Sequence, residues 1–168
     1  MSKLNIEKLN AGQGKEFIKQ LAGVPNNLDK NNIKEFYSTL SSLFDRDDLQ
    51  ENSLNQSLIA LYKVLTCKDD YFLKVFQEKD FISRLPYNTQ YQSAQNSLFD
   101  VLYAISSNAP ASFNEFAADQ ISQHLLQKDQ MKTLTIIGIY AKKFDELKKP
   151  WEMLDILIKN SQDFYSKD

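Results

Sequence analysis

Between a few widely spaced Gly and Pro residues, the apolar side chains of this chain recur at every third and fourth position. That spacing lines one face of a helix, whereas a half-buried strand needs alternation at every second residue. Ile33, Phe36, Tyr37, Leu40, Leu43 and Phe44 form one stripe, and Leu54, Leu58, Leu61, Tyr62 and Leu65 a second. Leu98, Val101, Leu102 and Ile105 form a third, and Leu134, Ile137 and Ala141 a fourth. All four are expected to face the core. Only four Gly and four Pro occur in 168 residues. They sit between the stripes, at Gly12 and Gly14, at Gly23 with Pro25, and at Pro86, Pro110 and Pro150. Proline cannot continue a helix interior and restricts the residue before it, so these positions act as punctuation. No strand-like alternation bounded by a hairpin turn is present, and the fold class is all-α.

Helix ends are also written locally. Thr89 with Gln92, and Ser112 with Glu115, have the spacing of a capping box, in which each side chain satisfies an orphan backbone amide. Pro150 suits the first turn of a last helix, where its missing N–H has no partner to lose. The acidic run "DRDDLQE" (45–51) precedes a long helix, so its carboxylates are expected to favour the positive helix N-terminus; a docking patch for a basic partner is the alternative. The cations of "KKFDELKK" (142–149) suit a helix C-terminus and a solvated face.

The stripes repeat. "SLIALYKVLTCKDDYFL" (57–73) is echoed forty residues later by "SLFDVLYAISSNAPASF" (97–113). Sliding 57–85 onto 97–125 pairs apolar with apolar at eleven of 29 positions, about twice what chance placement gives at this apolar content. Each unit reads long amphipathic helix, break, short helix, second short helix. In the first these are 51–66, "CKDD", "YFLKVFQ" and "DFISRL"; in the second 90–106, "SSNAP", "SFNEFAA" and "QISQHLLQ". A third long helix is expected at 130–144, and "IKEFYSTLSSLF" (33–44) fits the short helix before the first long one. A period near forty residues with two or three helices is the signature of stacked helical repeats, in which each unit buries its apolar face on the next.

The unit "YFLKVFQEKDFISRL…QSAQNSLFDVLYAISS" resembles an armadillo repeat, a short–medium–long helix triplet, and the resemblance covers residues 30 to 160. It implies an armadillo- or HEAT-like solenoid of about three repeats, a right-handed α–α superhelix. The longest helix of each unit would then line a concave groove that takes extended peptides or partner helices. Importin-α-like members carry a Trp and an Asn at fixed positions of that helix. The equivalent positions here read Ala60 and Asp100 for Trp, and Val64 and Ala104 for Asn, so that ladder is absent and the resemblance is to the generic class. The organisation expected is a single domain overall, with an N-terminal helix or flexible lead at 1–30 and an armadillo-like repeat domain at 31–168.

On this reading the long helices carry a partner-binding face at Gln56, Ala60 and Lys63, at Asn96, Asp100 and Tyr103, and at Lys132 and Tyr140. Tyr103 leads the set because tyrosine offers contact area at low entropic cost. The function expected is a non-catalytic scaffold or adaptor that binds a protein or peptide. A chaperone-type regulator or assembly factor is the alternative, and an enzyme whose helices merely imitate a repeat is the third class.

Composition bears on the excluded classes. Twenty basic against 22 acidic residues give a net charge of −2 and a pI near 5.5, unlike a general nucleic-acid binder. No signal-peptide pattern and no 18-residue apolar stretch is present, so neither secretion nor membrane insertion is expected. The single cysteine, Cys67, has no internal disulfide partner, which fits a cytoplasmic or nuclear setting. His124 lacks Cys or acid at ligand spacing, so no metal, no cofactor and no catalytic residue is assigned. Cys67 beside Lys68 is a setting that lowers a thiol pKa, against a plain structural role. "GQG" (12–14) lacks the strand and lysine spacing of a phosphate loop. The apolar side of "KKPWEMLDILIKN" (148–160), with Trp151, Met153 and Leu154, is expected to cap the last repeat; an open solenoid end would instead allow a homodimer.

Overall fold

The computed structural model describes residues 2–126 and, beyond them, 128, 129, 131–133, 135, 136 and 138. Among these residues every regular element is helical. The chain divides into two compact units, one ending at Ser112 and one beginning at Phe113. In the first, α1 (Ile6–Asn10), α2 (Gly14–Ala22), α3 (Ile33–Phe44), α4 (Glu51–Thr66), α5 (Asp70–Glu78) and α6 (Gln92–Asn108) are joined by short turns, with 3-10 turns at Phe81–Arg84 and Pro110–Ser112. No helix among the described residues is long and apolar enough to cross a membrane.

The stripes behave as their spacing requires. Ile33, Phe36, Tyr37, Leu40 and Leu43 of α3 are buried, as are Leu98, Val101, Leu102 and Ile105 of α6. Burial of each such side chain contributes about 1.5–3 kcal/mol before chain entropy is counted. Phe44 is only half-buried, and Tyr62, expected in the core, is 38% exposed. The fourth stripe falls largely outside the described residues, as do Tyr140, Pro150 and the 148–160 segment. At the centre of the first unit lies an aromatic cluster. The rings of Phe36, Phe76 and Phe81 surround Tyr37, with centroids 4.9–5.8 Å from its own. The Tyr37 hydroxyl donates to the Phe72 carbonyl at 2.9 Å, and burial pushes its phenol well above the usual tyrosine range.

Helix ends differ in places from expectation. α4 spans 51–66 as predicted, but α6 begins at Gln92 rather than 90. Thr89 does not cap it: its Oγ1 accepts from the Tyr91 amide, its carbonyl accepts from Gln95 Nε2, and Gln92 donates to Asn96 Oδ1 rather than reaching back. Ser112 lies inside a 3-10 turn, and Asn114 supplies the cap by accepting from the Ala117 amide at 2.8 Å. Of the acidic run only Glu51 lies in the first turn of α4, where its charge favours the helix N-terminus; the Asp residues do not cap it. Asp48 accepts both forks of Arg46, Asp45 accepts from Arg84 at 3.0 Å, and the N-cap residue is Gln50. Charge-assisted bonds to guanidinium outcompete a cap that a neutral residue can occupy. "DFISRL" is a 3-10 turn rather than an α-helix.

The described residues of the N-terminal lead, up to position 30, pack within the first unit. Leu4, Leu9, Phe17, Leu21, Val24 and Leu28 are all buried. Arg46 secures them from outside by donating to the carbonyls of Asn10 and Ala11 at the end of α1. Gly12 (φ +69°) turns the chain there, and a Cβ on it would lie 2.7 Å from Arg46 Nη1.

In the second unit the two short helices expected over 112–127 are one helix, α7 (Glu115–His124). No Gly or Pro separates them, so nothing stops the first from propagating. Residues 131–133, 135, 136 and 138 are helical, where the third long helix was expected. Thr133 is buried and its hydroxyl donates to the Asp129 carbonyl at 2.7 Å.

Candidate functional site

The two long helices of the first unit pack side by side, and side-chain bonds fix their register. Ser93 Oγ donates to Glu51 Oε1, Ser97 Oγ donates to Asn55 Oδ1, and Asn108 Nδ2 donates to the Leu65 carbonyl. Separations of 42, 42 and 43 residues, rising together along both helices, mean that α4 and α6 run parallel. The echo read from the letters is forty residues, so the packed register is two to three residues longer.

Parallel packing leaves one long side of each helix in solvent. On α4 it carries Asn52, Tyr62 and Lys63 exposed, with Asn55, Gln56 and Ile59 half-buried. On α6 it carries Gln92, Asn96, Asp100, Tyr103 and Ser107, spaced by three and four and all exposed. Tyr62 and Tyr103 are 38% and 49% exposed. The other exposed residues named on these sides are amides and a hydroxyl, with a single cation, Lys63, and a single anion, Asp100. Such groups donate and accept, so they can match the alternating N–H and C=O of a polypeptide.

The structure therefore brings Gln56, Lys63, Asn96, Asp100 and Tyr103 to accessible positions on the two packed helices. Ala60 is corrected: at 2% exposure it lies in the interior and cannot touch a partner. The positions equated with an aromatic and amide ladder fare likewise. Val64 and Ala104 are buried with Ala60, and only Asp100 faces solvent. Lys132 is exposed and belongs to the second unit; Tyr140 lies outside the described residues. Sequence reasoning missed Tyr62 and Asn55. The helical period placed Tyr62 at the stripe's edge, where letters alone do not separate core from rim. Asn55 was missed because its partner, Ser97, is 42 residues away.

Other candidates resolve plainly. Cys67 closes α4, half-buried, with its thiol donating to the Val64 carbonyl at 3.1 Å. Lys68 follows in the left-handed region (φ 64°), which turns the chain into α5. His124 ends α7 half-buried. No cluster of three His, Cys, Asp or Glu suited to a metal occurs among the described residues. Asp45, Arg46 and Asp47 border a cleft of about 620 Å³ over Leu49, Leu54 and Leu85, but the ion pairs to Arg84 and Asp48 already engage Asp45 and Arg46. No family model, curated protein or solved structure matches the chain.

Proposed function

We propose that this chain is a non-catalytic protein-interaction module: a short armadillo-like solenoid, a right-handed α–α superhelix, that binds a peptide or helix along its long-helix face. The observation that carries the reading is the parallel, side-chain-bonded packing of α4 on α6 at a 42-residue separation. Equivalent elements lying parallel and in register are what stacked repeats produce. That packing also sets Tyr62 and Tyr103 on neighbouring helices among groups able to pair with a partner's backbone. Exposed tyrosines of this kind are enriched in recognition surfaces.

The test is a double variant, Asp100→Lys with Tyr103→Ala. Both side chains are exposed, so stability should change by less than about 0.5 kcal/mol each. Affinity capture with the unchanged chain, repeated with the double variant, should show a co-purifying protein in the first and its loss in the second. Retention of every co-purifying protein by the double variant contradicts the proposed face. Loss of folding contradicts the surface assignment itself.

A further inference from the structure

A second cleft, about 420 Å³, lies where α2 packs on α4 and is bordered by Gly14, Lys15, Ile18, Gln50, Asn52 and Ser53. Two helix N-termini meet there. The first-turn amides of a helix have no partner within it, and each terminus carries about half a positive charge. Capping side chains normally absorb this, yet neither Gln13 at α2 nor Gln50 at α4 makes a side-chain bond to its helix. A further donor is waiting as well. Ser53 is only 4% exposed, borders the cleft, and its hydroxyl has no hydrogen-bond partner among the described residues.

Each first turn also holds a carboxylate, and that of Glu51 stays charged because its donor is a neutral hydroxyl. Glu16 is paired with Lys8 at 3.1 Å, and Glu51 accepts from Ser93. Lys15 has no such partner among the described residues and stands at the cleft. Above Gly14, a Cβ position meets nothing within 4 Å, so the approach to the α2 terminus is open.

We propose that this cleft binds a small organic phosphate, its anion held by first-turn amides of α2 and α4, the Lys15 ammonium and the Ser53 hydroxyl. The Lys15 ammonium, the Ser53 hydroxyl and the first-turn amides are all donors, which suits an oxyanion with several acceptor oxygens. Ile18 offers an apolar wall for the organic part. Uncapped helix termini are ready anion sites, and here two converge on one volume. The cleft shares Asn52 with the exposed side of α4 but includes neither Tyr62 nor Tyr103.

The full chain labelled with 15N is titrated with glycerol 3-phosphate and, separately, inorganic phosphate, at fixed ionic strength near pH ~8, where both are dianions. Saturable shifts should be confined to the amides of Gly14, Lys15, Glu16, Glu51, Asn52 and Ser53. Lys15→Gln should weaken binding about fivefold, the scale of one partly solvated charge. Ser53→Ala should weaken it by about the same factor. Because alanine raises helix propensity, loss of fold cannot mimic that result. Tighter binding of glycerol 3-phosphate supports the organic-phosphate class, whereas equal or weaker binding overturns it. Shifts that never saturate, or variants that titrate like the unchanged chain, overturn the site.

Discussion

Tyr37→Phe removes one oxygen from the centre of the first unit and leaves the ring in place. Tyr37 is 1% exposed, and its hydroxyl donates to the Phe72 carbonyl at 2.9 Å. Phe72 lies in α5, so its carbonyl keeps the helical donor four residues on, and no acceptor is orphaned. The net loss is therefore one buried hydrogen bond, about 1 kcal/mol, which for a chain of this length lowers the Tm by roughly 2–4 °C. The pH dependence sharpens the test. The buried phenol is held protonated far above its ordinary value of 10.0. Its contribution to stability is thus fully present below about pH 10 and is lost as pH rises beyond it. There the unfolded phenol ionises while the folded one does not, at about 1.4 kcal/mol per pH unit. Urea denaturation of both proteins at about pH 8 should show the variant less stable by about 1 kcal/mol, with unchanged m-value. At about pH 11 the gap should close or reverse, since phenylalanine has no proton to release. Lysine titration is common to both proteins and cancels. A gap that stays constant with pH refutes the buried-phenol reasoning, and a loss above about 3 kcal/mol refutes the claim that no acceptor is orphaned.

Other expectations are checked the same way. Gly12→Ala and Gly14→Ala both place a side chain at positive φ, but only Gly12 is crowded, by Arg46, Leu43 and Leu49. Denaturant midpoints should show Gly14→Ala costing about 1 kcal/mol and Gly12→Ala clearly more, about 2–3 kcal/mol. Asp69→Ala removes the cap that accepts from the Phe72 amide and should cost about 1 kcal/mol by thermal melting. Arg84→Ala breaks an ion pair in which both partners are more than half exposed, and should shift stability by less than about 0.5 kcal/mol.

Much of the fold was legible because helix propagation is a local matter. α3 and α4 occupy the residues their stripes and breaks demand, and Pro110 stops α6 at Asn108. What failed depended on choices between partners. Asp45 and Asp48 were free in the sequence to cap a helix and found Arg84 and Arg46 instead. Solvent exposure was legible at Asp100 and Tyr103, which sit opposite a fully buried stripe. It was misread at Ala60, because the rotation of α4 about its axis is set by its contacts with α6 and other neighbours. A small apolar residue at a stripe's edge gives no hint of that rotation.

The proposed recognition face depends on α4 and α6 lying parallel with Asn55 beside Ser97, and a distance measurement tests that directly. In a Cys67→Ser background, cysteines at Asn55 and Ser97 should be joined rapidly by a short bifunctional thiol reagent under native conditions. Cysteines at Asn55 and Ser107 should not, since ten residues of helix displace the second by about 15 Å. Rapid joining of the first pair alone is the predicted result. Joining of the second pair instead of the first would mean a different packing of the two helices, and the face carrying Tyr62 and Tyr103 would not exist as described.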